Sequence, residues 1–147
     1  MAITLPEEYG YVLLAVASTF FVNTFHAGLT SKYRKASGIK YPAAYASNEV
    51  AEKDPKAFAF NCAQRAHANF TENLTPAIGA TLIAGLRYPL AAAALGVAWS
   101  VSRVVYAIGY AASGPKGRST GSLFGALVDF SLKFTATYAA VKFVLEQ

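Results

Sequence analysis

One stretch of the sequence, 60–73, places charged and polar side chains within an otherwise apolar region. Four of them share the spacing of one helical face: Asn61, Arg65, Asn69 and Glu72. Residues three or four apart lie on the same face of an α-helix, so these side chains form a polar stripe. A charge within a membrane-spanning helix costs about 2.5–3.5 kcal/mol on insertion scales. Arg65 and Glu72 could therefore neutralise each other, or they could line a binding site for a polar ligand between helices.

A second set of polar side chains has helical spacing further along the chain. Arg103, Tyr106 and Tyr110 follow one another at i, i+3 and i+7, and Arg118 comes after a stretch rich in glycine and proline. Tyrosines near a membrane surface are often belt residues, which is the alternative interpretation of this pair. An arginine on the same face favours an anion site, because hydroxyl and guanidinium groups both donate hydrogen bonds. Arg34, at the end of the first apolar segment, adds positive charge on the same side of the membrane.

These groups fit a small hydrophilic ligand that carries carboxylates and an ammonium group. Arginine binds carboxylates in a bidentate manner, and Glu72 could bind the ammonium group. Glutathione has these groups and also a thiol, which in an unperturbed cysteine has a pKa of about 8.5. A guanidinium group nearby favours the reactive thiolate and itself remains protonated. The residues are thus compatible with glutathione, and equally with another anionic, zwitterionic ligand.

The sequence offers few residues for metal or cysteine chemistry. It contains two histidines, His26 and His67, and one cysteine, Cys62. A single cysteine provides neither a disulfide framework nor a cysteine-based zinc site. A buried thiol usually behaves as a small apolar side chain, so we do not expect Cys62 to be a nucleophile. We expect no metal site.

Four apolar segments must position the polar residues. They extend over about 9–29, 57–86, 90–112 and 122–145. A membrane-spanning helix needs about 20 predominantly apolar residues, which the first, third and fourth segments provide. The second segment can span a bilayer only if its polar residues face inward, because unsatisfied polar groups in lipid are costly. The sequence therefore predicts a single all-α domain, 1–147, built as a bundle of four transmembrane helices.

Composition and charge also indicate a membrane protein. Apolar residues make up 54% of the chain. Charged residues make up 14%, compared with about 25% in soluble domains.

Lysines and arginines concentrate in the first and third connections, which the positive-inside rule places in the cytosol. These flanking residues explain the net charge of +5, so we expect no nucleic-acid partner. Glu7 and Glu8 precede the first segment in place of a basic stretch, which predicts a retained helix rather than a cleaved signal peptide.

Several short motifs of the chain, taken together, resemble those of one family. The most specific are Phe60-Asn61-Cys62, Arg65-Ala66-His67-Ala68-Asn69, Arg103-Val104-Val105-Tyr106 and Gly109-Tyr110. Supporting motifs are Glu8-Tyr9-Gly10, Val12-Leu13-Leu14 and Tyr41-Pro42. From about Glu8 to the fourth segment, the chain resembles the membrane-associated proteins in eicosanoid and glutathione metabolism, the MAPEG family.

The resemblance implies a homotrimer that binds glutathione between neighbouring subunits near the cytosolic face. By position, the residues that resemble the family's glutathione contacts are Arg34, Arg65, His67, Asn69, Glu72, Tyr106 and Tyr110. Arg118 resembles the arginine that stabilises the thiolate, with Lys116 as a competing match, and Arg103 resembles a supporting arginine. Glutathione would be a co-substrate, and its partner would be a lipophilic electrophile or a lipid hydroperoxide. The membrane would be that of the endoplasmic reticulum or the outer mitochondrial membrane.

The resemblance also defines the alternatives for activity. Family activities include glutathione conjugation, lipid hydroperoxide reduction and leukotriene C4 synthesis. Asn73 stands where the leukotriene synthase has a tyrosine, which weakens the transfer of that enzyme's substrate preference. The family also contains a non-enzymatic lipid-binding scaffold, which would bind lipid without consuming glutathione. The presence of Arg118 together with the polar stripe favours a glutathione transferase and peroxidase over that scaffold.

Overall fold

The computed structural model describes residues 4–146, and over that range the protein is all α-helical. Its elements in chain order are α1 (Tyr9–Ser37), α2 (Asn48–Lys53), α3 (Pro55–Gly85), α4 (Pro89–Gly117) and α5 (Ser119–Leu145). The four long helices pack side by side, and α3 contacts each of the other three. The prediction of an all-α bundle is confirmed.

The helix ends follow ordinary capping chemistry. The α1 helix ends at Gly38, whose φ of 67° is the left-handed conformation that favours glycine at this position. At the start of α3, the Asp54 carboxylate accepts a hydrogen bond from the Lys56 backbone N–H, and Pro55 occupies the first helical position. The end of α1 and the start of α3 are joined by a connection that contains α2.

The interior of the bundle combines a few large side chains with many alanines. Phe60, Phe70, Trp99 and Leu132 are fully buried, and the Phe70 and Trp99 ring centroids lie 5.7 Å apart. Alanine side chains on α3 and α4 let the helices approach closely, as is common where membrane helices pack. The packed interior therefore holds α3 and α4, which carry most of the polar residues of interest, in fixed register.

The opposite end of the bundle is held by polar contacts between distant parts of the chain. The Tyr9 hydroxyl donates to the Leu82 carbonyl at 3.0 Å. The Arg87 guanidinium donates to both Glu146 carboxylate oxygens, at 2.6 and 2.8 Å. The hydrogen bonds from Arg87 and from Lys142 lower the pKa of the Glu146 carboxyl group. The Tyr9 bond joins the start of α1 to α3, and the Arg87–Glu146 pair joins the α3–α4 turn to the end of α5.

The helices extend beyond some of the predicted spans. The α1 helix continues to Ser37, past the predicted span end at 29, and α2 lies in a connection for which no helix was predicted. The α4 range to Gly117 includes a sharp kink, because Gly114 has φ 64° and ψ −154°, outside the helical region. The glycine- and proline-rich stretch therefore interrupts the helix, as the sequence predicted.

Two helices, α1 and α4, are long and apolar enough to cross a membrane by length and composition. The α3 and α5 helices contain 31 and 27 residues, which also exceeds the roughly 20 residues that a span needs. All four long helices therefore have the length that a membrane span requires.

Candidate functional site

The two charged residues of the polar stripe on α3 form an ion pair. The Arg65 guanidinium meets the Glu72 carboxylate in a bidentate arrangement, with Nη1–Oε1 at 2.8 Å and Nη2–Oε2 at 3.3 Å. About half of each side chain is exposed, 47% for Arg65 and 52% for Glu72. The two charges thus neutralise each other, although the pair lies on the outer surface of the protein.

Asn61, at the start of the same stripe, has a different role. Its side-chain oxygen accepts from the Ala46 backbone N–H at 2.8 Å, and its amide nitrogen donates to the Ala46 carbonyl at 3.0 Å. These two bonds fasten the connection between α1 and α2 against α3. Asn61 therefore positions one wall of the site.

The end of α4 brings Arg118 to the two tyrosines predicted to act with it. Arg118 Nη1 donates to the Tyr106 hydroxyl at 3.4 Å, and the guanidinium carbon lies 5.0 Å from the centre of the Tyr110 ring. The tyrosine rings meet edge to face, with centroids 5.7 Å apart. The hydrogen bond to Tyr106 raises the pKa of Arg118 further above its ordinary value, so its guanidinium remains charged. Lys116, the competing match, instead lines a separate cavity beside Gly114.

A cavity of about 370 Å³ lies between α2, α3 and α4 at this end of the bundle. Arg65 and Tyr110 line it together with Cys62 and Asn61, and Tyr45 contributes from the connection before α2. The cavity thus combines an arginine, the carboxylate of Glu52, two phenols and apolar walls, which suits a polar ligand with a thiol or hydrocarbon part. Tyr45 and Cys62 were not among the predicted contacts, and their sequence positions carry no distinctive spacing.

Two predicted contacts lie away from this cavity within one protomer. The Arg34 guanidinium stacks between the rings of Tyr41 and Phe60, at 4.2 and 4.5 Å, and donates to the Ala43 carbonyl at 2.8 Å. His67 faces α1, where its Nε2 lies 3.2 Å from the Asn23 side-chain oxygen. The single chain therefore does not bring Arg34 or His67 into the cavity that Arg65 lines.

Arg103 and Asn69 meet deeper in the bundle. Arg103 Nη1 donates to the Asn69 side-chain oxygen at 3.1 Å, and only 7% of Arg103 is exposed. Its guanidinium carbon lies 5.3 Å from the centre of the Tyr106 ring. Arg103 thus links Tyr106 of α4 to Asn69 in the polar stripe of α3.

Two charged residues of α5 lie near this region and were not predicted. Lys133 Nζ lies 2.5 Å from Asp129 Oδ2, one helical turn away. Both fall inside the predicted fourth span, and charge inside a span is itself a signal of function. Within residues 4–146, no group of three or more histidine, cysteine or acidic side chains is arranged to hold a metal ion.

A comparison with known proteins agrees with these features. A model described as the MAPEG family matches residues 12–138, which includes every candidate site residue named above. Proteins of this family are integral to membranes and include glutathione transferases, peroxidases and leukotriene C4 synthase, and its enzymes use glutathione. A match over most of the sequence establishes the family. The chain belongs to the MAPEG family.

Proposed function

We propose that this protein is a membrane-bound glutathione transferase that also reduces lipid hydroperoxides with glutathione. The observation that carries the proposal is the cluster at the end of α4. There Arg118 donates to Tyr106 and lies over Tyr110, beside a cavity that Arg65 and Tyr110 line. A permanent cation close to tyrosine hydroxyl groups can hold a thiolate and donate hydrogen bonds to it.

Arg118 stabilises the glutathione thiolate in this proposal. The sulfur attacks an electrophilic carbon, forms the carbon–sulfur bond and displaces the leaving group with its electron pair. With a hydroperoxide, the sulfur attacks the terminal oxygen and the O–O bond breaks, giving a sulfenic acid and, after protonation, an alcohol. A second glutathione then condenses with the sulfenic acid, forms the disulfide and releases water. Both reactions require the same thiolate, so one site serves both activities.

The proposed glutathione contacts come from two protomers of a homotrimer. Arg65, Asn69, Glu72, Tyr106 and Tyr110 contribute from one protomer, with Arg103 in support. Arg34 and His67 contribute from its neighbour. This division is supported by the half-exposed Arg65–Glu72 pair, because a charged pair facing lipid is costly and a second protomer would cover it.

The lipophilic substrate reaches the site from the bilayer. Apolar side chains are exposed along the outer faces of α1 and α5, including Phe20, Phe21, Leu127 and Phe130. Such faces are compatible with contact with lipid. Within the family, the chain most resembles microsomal glutathione S-transferase type 3, and leukotriene C4 synthesis is a further candidate activity.

All four long helices span the membrane in this proposal, as one domain. The α1–α3 and α4–α5 connections face the cytosol, either at the endoplasmic reticulum or at the outer mitochondrial membrane. Support comes from the basic residues that lie at this end of the bundle: Lys32, Arg34, Lys35, Lys40, Lys53, Lys56, Lys116 and Arg118. Their position agrees with the positive-inside rule.

The test is a titration of glutathione into detergent-purified protein, followed by the ultraviolet absorbance of the thiolate. We expect thiolate at neutral pH with the wild type. In Arg118→Ala the pKa of the bound thiol should rise by about 1–3 units. Lys116→Ala is the matched control and should behave as the wild type does.

Two results would count against the proposal. If the thiolate absorbance were lost in Lys116→Ala but not in Arg118→Ala, Lys116 and not Arg118 would be the group that stabilises the thiolate. Absence of thiolate in the folded wild type would favour a lipid-binding scaffold without catalysis.

A further inference from the structure

A cavity of about 470 Å³ lies beside the bend of α4, next to the cavity of the candidate site. The two cavities have only Phe58 and Pro115 as common walls, and none of the predicted glutathione contacts lines the one at the bend. Its volume falls within the range of about 300–1,000 Å³ that is usual for ligand pockets. Its apolar walls come from the start of α3 and the last turns of α4: Pro55, Phe58, Ala59, Ala111, Ala112 and Pro115.

The polar part of this cavity is positively charged. Lys116 lines it and is exposed, and Lys56 is a second exposed lysine, next to Pro55 in the first turn of α3. Within residues 4–146, no carboxylate lies within 4 Å of either ammonium group. Ser113 adds a hydroxyl group to the same cavity. These groups suit an anion.

An exposed apolar stripe on α4 leads into the cavity. Val97, Val101, Val105 and Ile108 are each 44–52% exposed. They lie three or four residues apart, and so does Ala112, which is exposed and lines the cavity. Residues with this spacing share one helical face. A hydrocarbon chain on that face would therefore reach the cavity.

The length of the stripe suits a lipid chain. From 97 to 112 it extends about 22 Å, at 1.5 Å per residue. The hydrocarbon part of one leaflet is about 15 Å thick, which is half of the roughly 30 Å core of a bilayer. A chain that begins at the cavity can thus follow α4 through the whole of one leaflet.

These features together select an anionic amphiphile. The apolar walls would remain unused by a small hydrophilic anion, and the two lysines would remain unpaired beside a neutral lipid. Proteins of this family are integral to membranes, so phospholipids surround the bundle. Each lysine near a membrane surface strengthens the binding of anionic lipid by roughly fivefold.

We propose that this cavity binds an anionic phospholipid. Its phosphate group pairs with Lys116, and Lys56 adds attraction from the start of α3. One acyl chain passes between Phe58 and Ala112 and continues along the apolar stripe of α4. The site is independent of the glutathione reaction, because the predicted glutathione contacts do not line it.

The test compares the binding of phosphatidylglycerol and phosphatidylcholine to the full-length protein in detergent, by native mass spectrometry. The two lipids carry the same oleoyl chains, so that only the head group differs. We expect the wild type to bind phosphatidylglycerol at least about fivefold more tightly. In Lys116→Gln this preference should shrink by about fivefold.

Lys32→Gln is the matched control, because it removes an exposed lysine of α1 that does not line the cavity. It should keep the preference for phosphatidylglycerol. If Lys32→Gln and Lys116→Gln lose the preference equally, the general positive charge of this end attracts the lipid, and the inference is wrong.

Ala112→Phe tests the position of the acyl chain. Ala112 is exposed, so the added ring fills the cavity without disturbing the packed interior. We expect weaker binding of both lipids. Unchanged binding would place the chain elsewhere and overturn the proposal. Wild-type oligomers that retain neither lipid would also overturn it, since a second copy of the chain would then cover the cavity.

Discussion

The four arginines of the candidate site differ in what surrounds their guanidinium groups. Arg34 is stacked between two aromatic rings and bonded to backbone carbonyls. Arg65 is paired with Glu72. Arg103 and Arg118 have only neutral hydrogen-bond partners within residues 4–146. The same residue type therefore serves loop anchoring, charge pairing and, in the proposal, ligand binding, and local partners distinguish these uses.

The Gly125→Ala substitution adds a single methyl group and tests the role of the Arg103 guanidinium. A Cβ at this position would overlap Arg103 Nη2 and lie 2.9 Å from the Ser102 hydroxyl oxygen. We expect Gly125→Ala to displace the guanidinium and to lower the free energy of unfolding by about 1–3 kcal/mol, as overpacking does. Glutathione affinity should fall at the same time. Both can be measured in detergent, by denaturant unfolding and by calorimetry.

Gly79→Ala is the control for that substitution. Gly79 lies within α3, and nothing would meet its Cβ within 4 Å. Alanine is the better helix former by up to about 1 kcal/mol, so this variant should be as stable as the wild type or more so. Unchanged glutathione affinity in Gly125→Ala would show that the position of the Arg103 guanidinium does not support glutathione binding.

The bend in α4 decides where Arg118 lies. Gly114 has φ 64° and ψ −154°, a conformation that residues with a side chain rarely adopt. A Cβ there would also meet the Phe58 ring at 3.1 Å. The bend ends the straight part of α4 and lets the following residues fold back, so that Arg118 reaches Tyr106.

We therefore expect Gly114→Ala to impair the site more than the fold. The strained backbone should cost about 1–3 kcal/mol of stability. The pKa of the bound thiol should rise towards its value in Arg118→Ala, because Arg118 would move away from the tyrosines. Ser113→Ala, at an exposed neighbouring position, should change neither property. A Gly114→Ala protein with normal thiolate absorbance would mean that the bend does not position Arg118.

The long helices could be predicted from the sequence, but their junctions could not. Apolar stretches of about 20 residues locate spans directly. By contrast, α2 is too short for a periodic pattern. Glycine and proline near 114 predicted the break in α4, but not that the chain folds back there so that Arg118 reaches Tyr106. Spacing also placed Arg65 and Glu72 on one face correctly. It could not show that Asn61, on that same face, instead binds the Ala46 backbone, because that contact joins distant parts of the chain.

Contacts between helices could not be predicted from the sequence either. Asp129 lies on a segment that was chosen for its apolar character, and only the packing of α5 against α3 and α4 brings it near Arg103 and Asn69. Helical periodicity describes one helix at a time, so it identifies faces but not partners. The cluster of Arg118 with both tyrosines was predicted because Arg118 follows their helical face after the glycine- and proline-rich stretch, and because it resembles the family's thiolate-stabilising arginine.

At the scale of the whole molecule, a single chain does not bring all of the predicted glutathione contacts together. Arg65 and Glu72 are half exposed, whereas Arg34 and His67 lie elsewhere on the protomer. A symmetric oligomer can bring such separate surfaces together at each interface. We expect the detergent-purified protein to have a polypeptide mass three times the 15.6 kDa of one chain by light scattering. A monomer that still forms the thiolate would contradict this expectation.

The shared site also predicts complementation between two inactive variants. Arg34→Ala and Arg118→Ala each remove one contribution to every site of a homotrimer. When the two chains are co-expressed in equal amounts, about a quarter of the interfaces should combine an intact Arg118 with an intact Arg34 from the neighbour. Glutathione conjugation should therefore recover to about a quarter of the wild-type rate. Mixing the purified homotrimers without subunit exchange is the control and should restore nothing. If co-expressed trimers stay inactive although both variants fold, each site belongs to one protomer, and Arg34 serves only to anchor the connection after α1.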